Sequence, residues 1–469
     1  MLIAVGQIAY AALTARVFSP RSFGEFTAAL SLHGLIAVCT GTGLSSFVLK
    51  EPHLDRSQTR AINLVVVALA SLSAVVFWLV SPYWLAWLNS PGGGEFVPLL
   101  TCATFAAPVG AVQSALLRRE GNGGADAAVY ALAFIVATGL AAATAILMRQ
   151  PWTLALGTAV NPIILTVLSR FLRRAVYPAR NSRLTFEWLV FALRVTGQNL
   201  VFFGLWMVPT WSLGANTTPS VLGQFSRGNT VAYLPAYALS TAVTRGTQPH
   251  WRKVESDESR ARAISEALVL AASISFLCFT VLATLSHPLT NLLLGPGWEL
   301  AAEFTAWLAI GFAMQVPTML LANYLETTGM LSRVHWIQFA NAAGLAPGVG
   351  LLVWLHDFRY LLAGFVLSNI LGLVTAVCQV SAALATHPGR LLKQLVAPLI
   401  SAIGCGCIAY GTATLVAVGS DGRTGLASAT QLGAGGLAVI VFVFFTRKWQ
   451  PAFSVLAARG VLKWRVPAE

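Results

Sequence analysis

Charge is what this sequence has least of. Of its 469 residues only 10% are Asp, Glu, Lys or Arg, where soluble domains carry about a quarter. Acidic residues are the scarcer sign, 17 against 30 Lys and Arg. Together with 56% hydrophobic residues and a mean hydropathy of +0.71, that scarcity excludes an ordinary soluble protein. It implies an all-α polytopic membrane protein. Long polar stretches are also missing. No link between apolar runs could hold a soluble domain, which disfavours a membrane glycosyltransferase or polymerase with paired carboxylates on a large loop. No nucleophile, base and acid can be placed together, and Gly121-Asn122-Gly123-Gly124 lacks the following Lys of a phosphate loop. Neither an enzyme nor a bound cofactor is expected. The six cysteines, Cys39, Cys102, Cys278, Cys378, Cys405 and Cys407, all lie inside apolar runs and read as small hydrophobes. Cys405-Gly-Cys407 has no His or carboxylate beside it, so no metal is expected.

What is present is apolar length. Fourteen runs approach the roughly 20 residues needed to cross about 30 Å of hydrocarbon, the first of them short, at 1–17. No cleavable leader is apparent, so this first span is expected to be retained, and a natural start upstream of Met1 is left open. Basic residues sort by side. On alternate links, 23 Lys and Arg fall on one side and five on the other, with Arg194 and Arg227 inside spans. The net charge of +13 therefore reads as topology, not as a nucleic-acid surface, and places both termini in the cytoplasm.

The runs also repeat. Gly6-Gln7 recurs as Gly197-Gln198, Phe23-Gly24-Glu25-Phe26 as Leu222-Gly223-Gln224-Phe225, and Leu44-Ser45-Ser46 as Leu239-Ser240-Thr241. Pro108, Gly121 and Asn161 are echoed by Pro317, Gly329 and Asn369. Each unit holds six spans, an even number, so the copies enter from the same side as parallel repeats. The expected organisation is a six-helix lobe at 1–187, a second at 188–394, and two extra helices with a basic tail at 395–469.

The segment Ala15 to Phe26, followed by Gly43-Leu44-Ser45-Ser46, resembles the N-terminal signature of the polysaccharide transporter family, the Wzx-type flippases of the MOP exporter superfamily. So does Leu222 to Arg227 with Leu234-Pro235 and Pro249 downstream. The resemblance implies two six-helix lobes around a central cavity, alternating access, and export of polyprenyl-diphosphate-linked oligosaccharides across a bacterial inner membrane. It also implies membrane lipids, a polysaccharide polymerase and chain-length proteins as partners, and a proton or sodium gradient as driving force. The rival within the superfamily is a multidrug/cation antiporter, which needs acidic residues deep in its cavity where this chain offers arginines.

The chemistry of such a substrate selects residues without the family. A diphosphate suits the forked, permanently charged guanidinium, and sugar hydroxyls suit amides. Ionisable side chains inside spans are expensive and default to function. The segment 193–251 breaks the apolar pattern most, so Arg194, Gln198, Asn199, Arg227, Asn229 and Arg245 are the candidates for substrate binding. Arg194 and Gln198 share a helix face, with Asn199 beside them. The plainer reading is that Arg194 and Arg227 snorkel to headgroups and that Arg245 anchors topology. Ion coupling would fall to Glu25, Glu326 or His33, although the two carboxylates read more simply as solvated helix ends and His33 more simply as a satisfied core histidine.

Overall fold

A computed structural model of the protein describes residues 2–51, 54–173, 186–251, 257–418, 425–446 and 452. The basic segments holding Arg174, Arg180, Arg183, Arg252, Lys253 and Arg423, and the tail from Arg447, lie outside the described residues. Among the described residues all regular structure is helical. The first seven α-helices are α1 Leu2–Val17, α2 Pro20–Lys50, α3 Arg56–Trp87, α4 Val97–Arg119, α5 Gly123–Met148, α6 Thr153–Leu172 and α7 Phe186–Asn216. They continue as α8 Pro219–Trp251, α9 Asp257–Thr284, α10 Ser286–Leu294, α11 Glu299–Thr327, α12 Leu331–Leu355, α13 Phe358–Ala383, α14 Pro388–Val418 and α15 Gly425–Thr446, with a short 3-10 helix at Pro91–Phe96 before α4.

Each of the fourteen apolar runs coincides with one α-helix, and among the described residues the nine-residue α10 and the 3-10 helix were not expected. Among the described residues, eleven helices are long and apolar enough to cross a membrane. Helix α1 is too short for that measure, α15 contributes the shorter apolar stretch Ala427–Val443, and the polar residues of α8 keep it off the same tally. Helix starts follow local chemistry. Asp55 accepts the Gln58 N–H at 2.7 Å while Gln58 Oε1 accepts the Asp55 N–H at 3.2 Å, a reciprocal cap that starts α3. Ser19 caps α2 with Pro20 at its first position, where a missing N–H costs nothing.

The expected repeat is visible as a recurring neighbour scheme within each half. Helix α3 packs on α4, α4 on α6 and α5 on α6; in the same way α9 packs on α11, α11 on α13 and α12 on α13. The turns agree as well. Gly121 and Gly329, matched in the sequence, follow α4 and α11 with φ of +77° and +78°, a region glycine enters without steric cost. Arg149 and His356 close α5 and α12 at φ +51° and +54°. The C-terminal pair stands outside the repeat: α14 packs on α9, and α15 on α14 and α10. Cys405 is buried there among Leu285, Ala409 and Val439.

Internal contacts divide the chain into two compact units, Met1–Ser226 and Arg227–Glu469. Helix α7 belongs to the first because it packs along α2. Gly348 of α12 and Gly364 of α13 let those helices approach backbone to backbone, so that a Cβ at Gly348 would sit 2.7 Å from the Gly364 Cα. Small residues at crossings are what hold helices together where no hydrophobic force acts between them. Gly348→Leu is expected to cost about 1–3 kcal/mol and to lower the thermal midpoint of the purified protein. An unchanged midpoint would mean that this crossing contributes nothing.

Candidate functional site

The polar stretch resolves into two helices with distinct faces. Helix α7 turns one stripe to α2: a Cβ at Gly43 would strike the Ala192 carbonyl and the Thr196 hydroxyl, and one at Gly34 would strike the Phe203 ring. At about 100° per residue, Asn199 falls on that same stripe, and it is half-buried. Arg194 and Gln198 fall on the opposite side, one turn apart, and both are exposed. The structure thus brings Arg194 and Gln198 together and separates Asn199 from them. Sequence spacing of one residue put Asn199 beside Gln198 along the chain, but not on its face.

In α8, Gln224 is buried and Arg227 half-buried. The next residue, Gly228, seats this helix against α11, where a Cβ would meet the Ala301 carbonyl and Phe304. The Thr305 hydroxyl lies 3.3 Å from the Gly228 carbonyl oxygen. Asn229 is half-buried and points roughly 200° away from Arg227 around the helix. Arg245 is exposed and returns to the Arg227 direction after five turns, about 27 Å along the axis. That distance nearly equals the hydrocarbon thickness, so Arg227 and Arg245 cannot meet the same substrate group. The Tyr233 ring stacks 5.9 Å from Tyr237 and 6.0 Å from Phe312, giving this half of α8 an aromatic flank.

The coupling candidates occupy three different environments. Glu25 is buried in the first turns of α2, and Arg21 Nε donates to its Oε1 at 3.0 Å. The 3-10 helix wraps it closely: a Cβ at Gly92 would lie 2.5 Å from the Glu25 carboxyl group. Glu326 is exposed in the last turn of α11. His33 is buried, with Nδ1 2.8 Å from Thr104 Oγ1. The single hydroxyl proton of Thr104 goes to the Leu100 carbonyl at 2.7 Å, so its oxygen accepts and His33 Nδ1 carries the donated proton. His33 thereby ties α2 to α4. Among the described residues no three His, Cys, Asp or Glu side chains gather as a metal ion would need.

Sequence reasoning missed two features. The first is a half-buried polar chain in α3, α4 and the end of α6: Arg173 Nη1 donates to Gln113 Oε1 at 2.9 Å, Arg173 Nε lies 3.2 Å from Glu120 Oε1, and Gln113 Nε2 donates to Asn63 Oδ1 at 2.8 Å. Nothing in their spacing signals it. The second was half visible. The two copies of the repeated motif lie against each other: a Cβ at Gly24 would strike the Pro219 carbonyl, and one at Gly223 the Pro20 carbonyl. The first turns of α2 and α8 therefore touch through backbone alone. The match between the copies was legible, whereas their contact was not.

Comparison with known proteins settles the family. Residues 13–303 match the family described as polysaccharide biosynthesis protein. The chain belongs to that family. Both segments that resembled the polysaccharide transporters, Ala15 to Phe26 and Leu222 to Arg227, fall within the match, so that resemblance is borne out. Among curated relatives of this polysaccharide biosynthesis protein is the succinoglycan biosynthesis transport protein ExoT of Rhizobium meliloti (strain 1021), 21% identical over 72% of this chain and 69% of its own length. Another is the lipopolysaccharide biosynthesis protein WzxC of Escherichia coli (strain K12), 22% identical over 64% of this chain. The chain spans 61% of the length of the latter. Its fold is similar to that of the lipid II flippase MurJ in an inward closed conformation, with a TM-score of 0.70 at 10% identity, over 95% of this chain and 97% of that one. It is also similar to an inward-facing multidrug resistance MATE family transporter of the MOP superfamily, with a TM-score of 0.59 at 15% identity, over 83% and 96%. The expectation of an all-α polytopic fold stands.

The His33 bridge makes a stability prediction. Thr104→Val leaves a buried imidazole N–H without its acceptor and is expected to cost about 1–3 kcal/mol, whereas Thr104→Ser keeps the bond. Thermal unfolding of both variants reads the difference; equal midpoints would remove the bridge from the account.

Proposed function

We propose that the chain is a transporter that moves polyprenyl-diphosphate-linked oligosaccharides from the cytoplasmic to the outer face of a bacterial inner membrane, supplying surface polysaccharide synthesis. The observation that carries this reading is the placement of arginines in the two helices that break the apolar pattern: Arg194 with Gln198 on the free face of α7, and Arg227 on α8. A sugar head cannot enter hydrocarbon, because each unpaired polar group costs kilocalories, and a diphosphate adds negative charge that guanidinium groups neutralise. On this reading the groups that meet the substrate's charge are Arg194 with Gln198 in the first unit and Arg227 in the second, with Arg245 towards the cytoplasm. No covalent step is required, which is why a transporter rather than an enzyme is proposed.

Access alternates between the two faces. The backbone contact of Gly24 with Pro219 and of Gly223 with Pro20 is the closed outer end on this reading, and it parts when the passage opens outward. Both termini lie in the cytoplasm, and a polymerase and chain-length proteins take over the product. The fold similarity to a multidrug transporter favours a second reading, a cation antiporter. Cation binding needs an available buried carboxylate, and the buried Glu25 is already engaged by Arg21, so the flippase is preferred.

Three outcomes follow from this proposal. The double variant Arg194→Glu, Arg227→Glu is expected to abolish surface polysaccharide at unchanged protein level and membrane insertion; normal polymer output would reject both residues. Gly24→Val or Gly223→Val is expected to prevent closure of the outer end and to reduce export at least tenfold, roughly the effect of a 1.4 kcal/mol barrier change; wild-type export would show that the contact does not form during transport. A fluorescent protein fused after Glu469 is expected to fluoresce, and alkaline phosphatase fused there to stay inactive; the reverse pattern would invert the orientation.

A further inference from the structure

Within the second unit, α10, the turn Gly295 to Gly297 and the starts of α11 and α15 enclose a cavity of about 550 Å³. That volume lies within the ~300–1,000 Å³ of small-molecule sites. We propose that this cavity binds a neutral saccharide of one or two rings, at a site separate from the transport passage.

Four observations support it. The wall sets a cluster of polar side chains, His287, Thr290, Asn291, Glu299, Ser428 and Gln431, among apolar surface from Pro288, Pro296, Trp298 and Ala302. These side chains supply donors and acceptors in close alternation, which a polyol can match group for group. No Lys or Arg lines it, so it lacks what holds a phosphate, and it lacks the run of large apolar side chains that an acyl chain would need. The decisive group is Thr290, whose side chain is 1% exposed and whose hydroxyl has no hydrogen-bond partner. Thr residues elsewhere in these helices, such as Thr101, Thr166 and Thr305, donate to the carbonyl four residues back at 2.7 Å. Thr290 does not, although Ser286 offers one. A buried hydroxyl left open calls for an explanation, and a ligand hydroxyl inside the cavity supplies it.

The site is built rather than left over. Asn291 Nδ2 donates to Ser428 Oγ at 3.1 Å, tying α10 to α15 across the cavity, and Ser428 is itself 1% exposed. Trp298 is buried beneath it, and the Gly297 N–H donates to Glu299 Oε1 at 3.1 Å. The repeat locates the cavity where the two copies diverge. After α3, the corresponding link is filled by buried Leu88, Ser90 and Phe96; after α9 it is lengthened by α10 and left hollow. The cavity lies at the C-terminal ends of α9 and α14, the ends opposite Arg260, Arg262, Arg390 and Lys393. Saccharide as the ligand rests on the proposed transport of glycans, whereas the cavity and its open hydroxyl do not.

The test is saturation-transfer NMR on the full chain in lipid nanodiscs, with cellobiose, maltose, lactose and chitobiose as probes. At least one is expected to receive saturation from the wild-type protein. Thr290→Val and Gln431→Ala should each weaken that signal about tenfold, while Thr290→Ser retains it, a rescue that loss of folding would not allow. The double variant Arg194→Glu, Arg227→Glu, in which export is expected to fail, should keep the full signal. No transfer from any of the four sugars, or equal transfer with Thr290→Val, overturns the proposal. Loss of the signal in the arginine double variant places sugar binding on the transport path and overturns it too. Export that survives the arginine changes while the sugar signal still depends on Thr290 counts against the transport mechanism alone and leaves this site standing.

Discussion

Helices in hydrocarbon gain nothing from burying apolar surface against one another, so they must be held by close backbone approach and by polar bridges. That constraint organises this protein. Gly24 and Gly223 bring the first turns of α2 and α8 together, Gly43 admits α7 to α2, and Gly348 faces Gly364 between α12 and α13. Where glycine is not used, side-chain hydrogen bonds take over. His33 reaches Thr104 between α2 and α4, Trp84 Nε1 donates to Ser31 Oγ at 3.1 Å between α3 and α2, and Ser275 donates to the Ala313 carbonyl at 2.9 Å between α9 and α11.

The same medium makes uncommitted polar groups conspicuous. Many Ser and Thr hydroxyls here donate back into their own helices, and the half-buried Arg173 is held by Glu120 and Gln113. Against that background, Arg194 and Gln198 lie on the exposed side of α7, and the open Thr290 hydroxyl, one of several buried hydroxyls without a partner, faces a cavity. The first pair suits a moving anion and the second a stationary sugar, because one site presents guanidinium and the other presents hydroxyl, amide and imidazole.

Duplication explains both the regularity and its exceptions. A repeated neighbour scheme and paired positive-φ turns at Gly121 and Gly329 give each half the same skeleton. Function enters where the copies part company. Glu25 in one motif corresponds to Gln224 in the other by sequence match, and the link after α9 carries an α-helix and a cavity where the link after α3 carries a 3-10 helix with buried Leu88, Ser90 and Phe96.

The sequence alone determined the helical class, the position of every long helix, the repeat and the family. Those depend on run length, composition and spacing along one chain, which hydrocarbon thickness and helix pitch convert directly into structure. It also picked out α7 and α8 as the polar pair, because a charge in an apolar run is visible wherever it points. Only the tertiary structure decided which residues share a surface. Asn199 turns to α2 while Gln198 turns away, Asn229 points away from Arg227, and Gly24 finds Pro219 almost two hundred residues later. The chain Arg173, Gln113 and Asn63, and the hollow beneath α10, likewise join side chains from separate helices. Helix order fixes what exists along the chain, but neighbours are fixed by rotation about each axis and by the crossing points, and those depend on all helices at once.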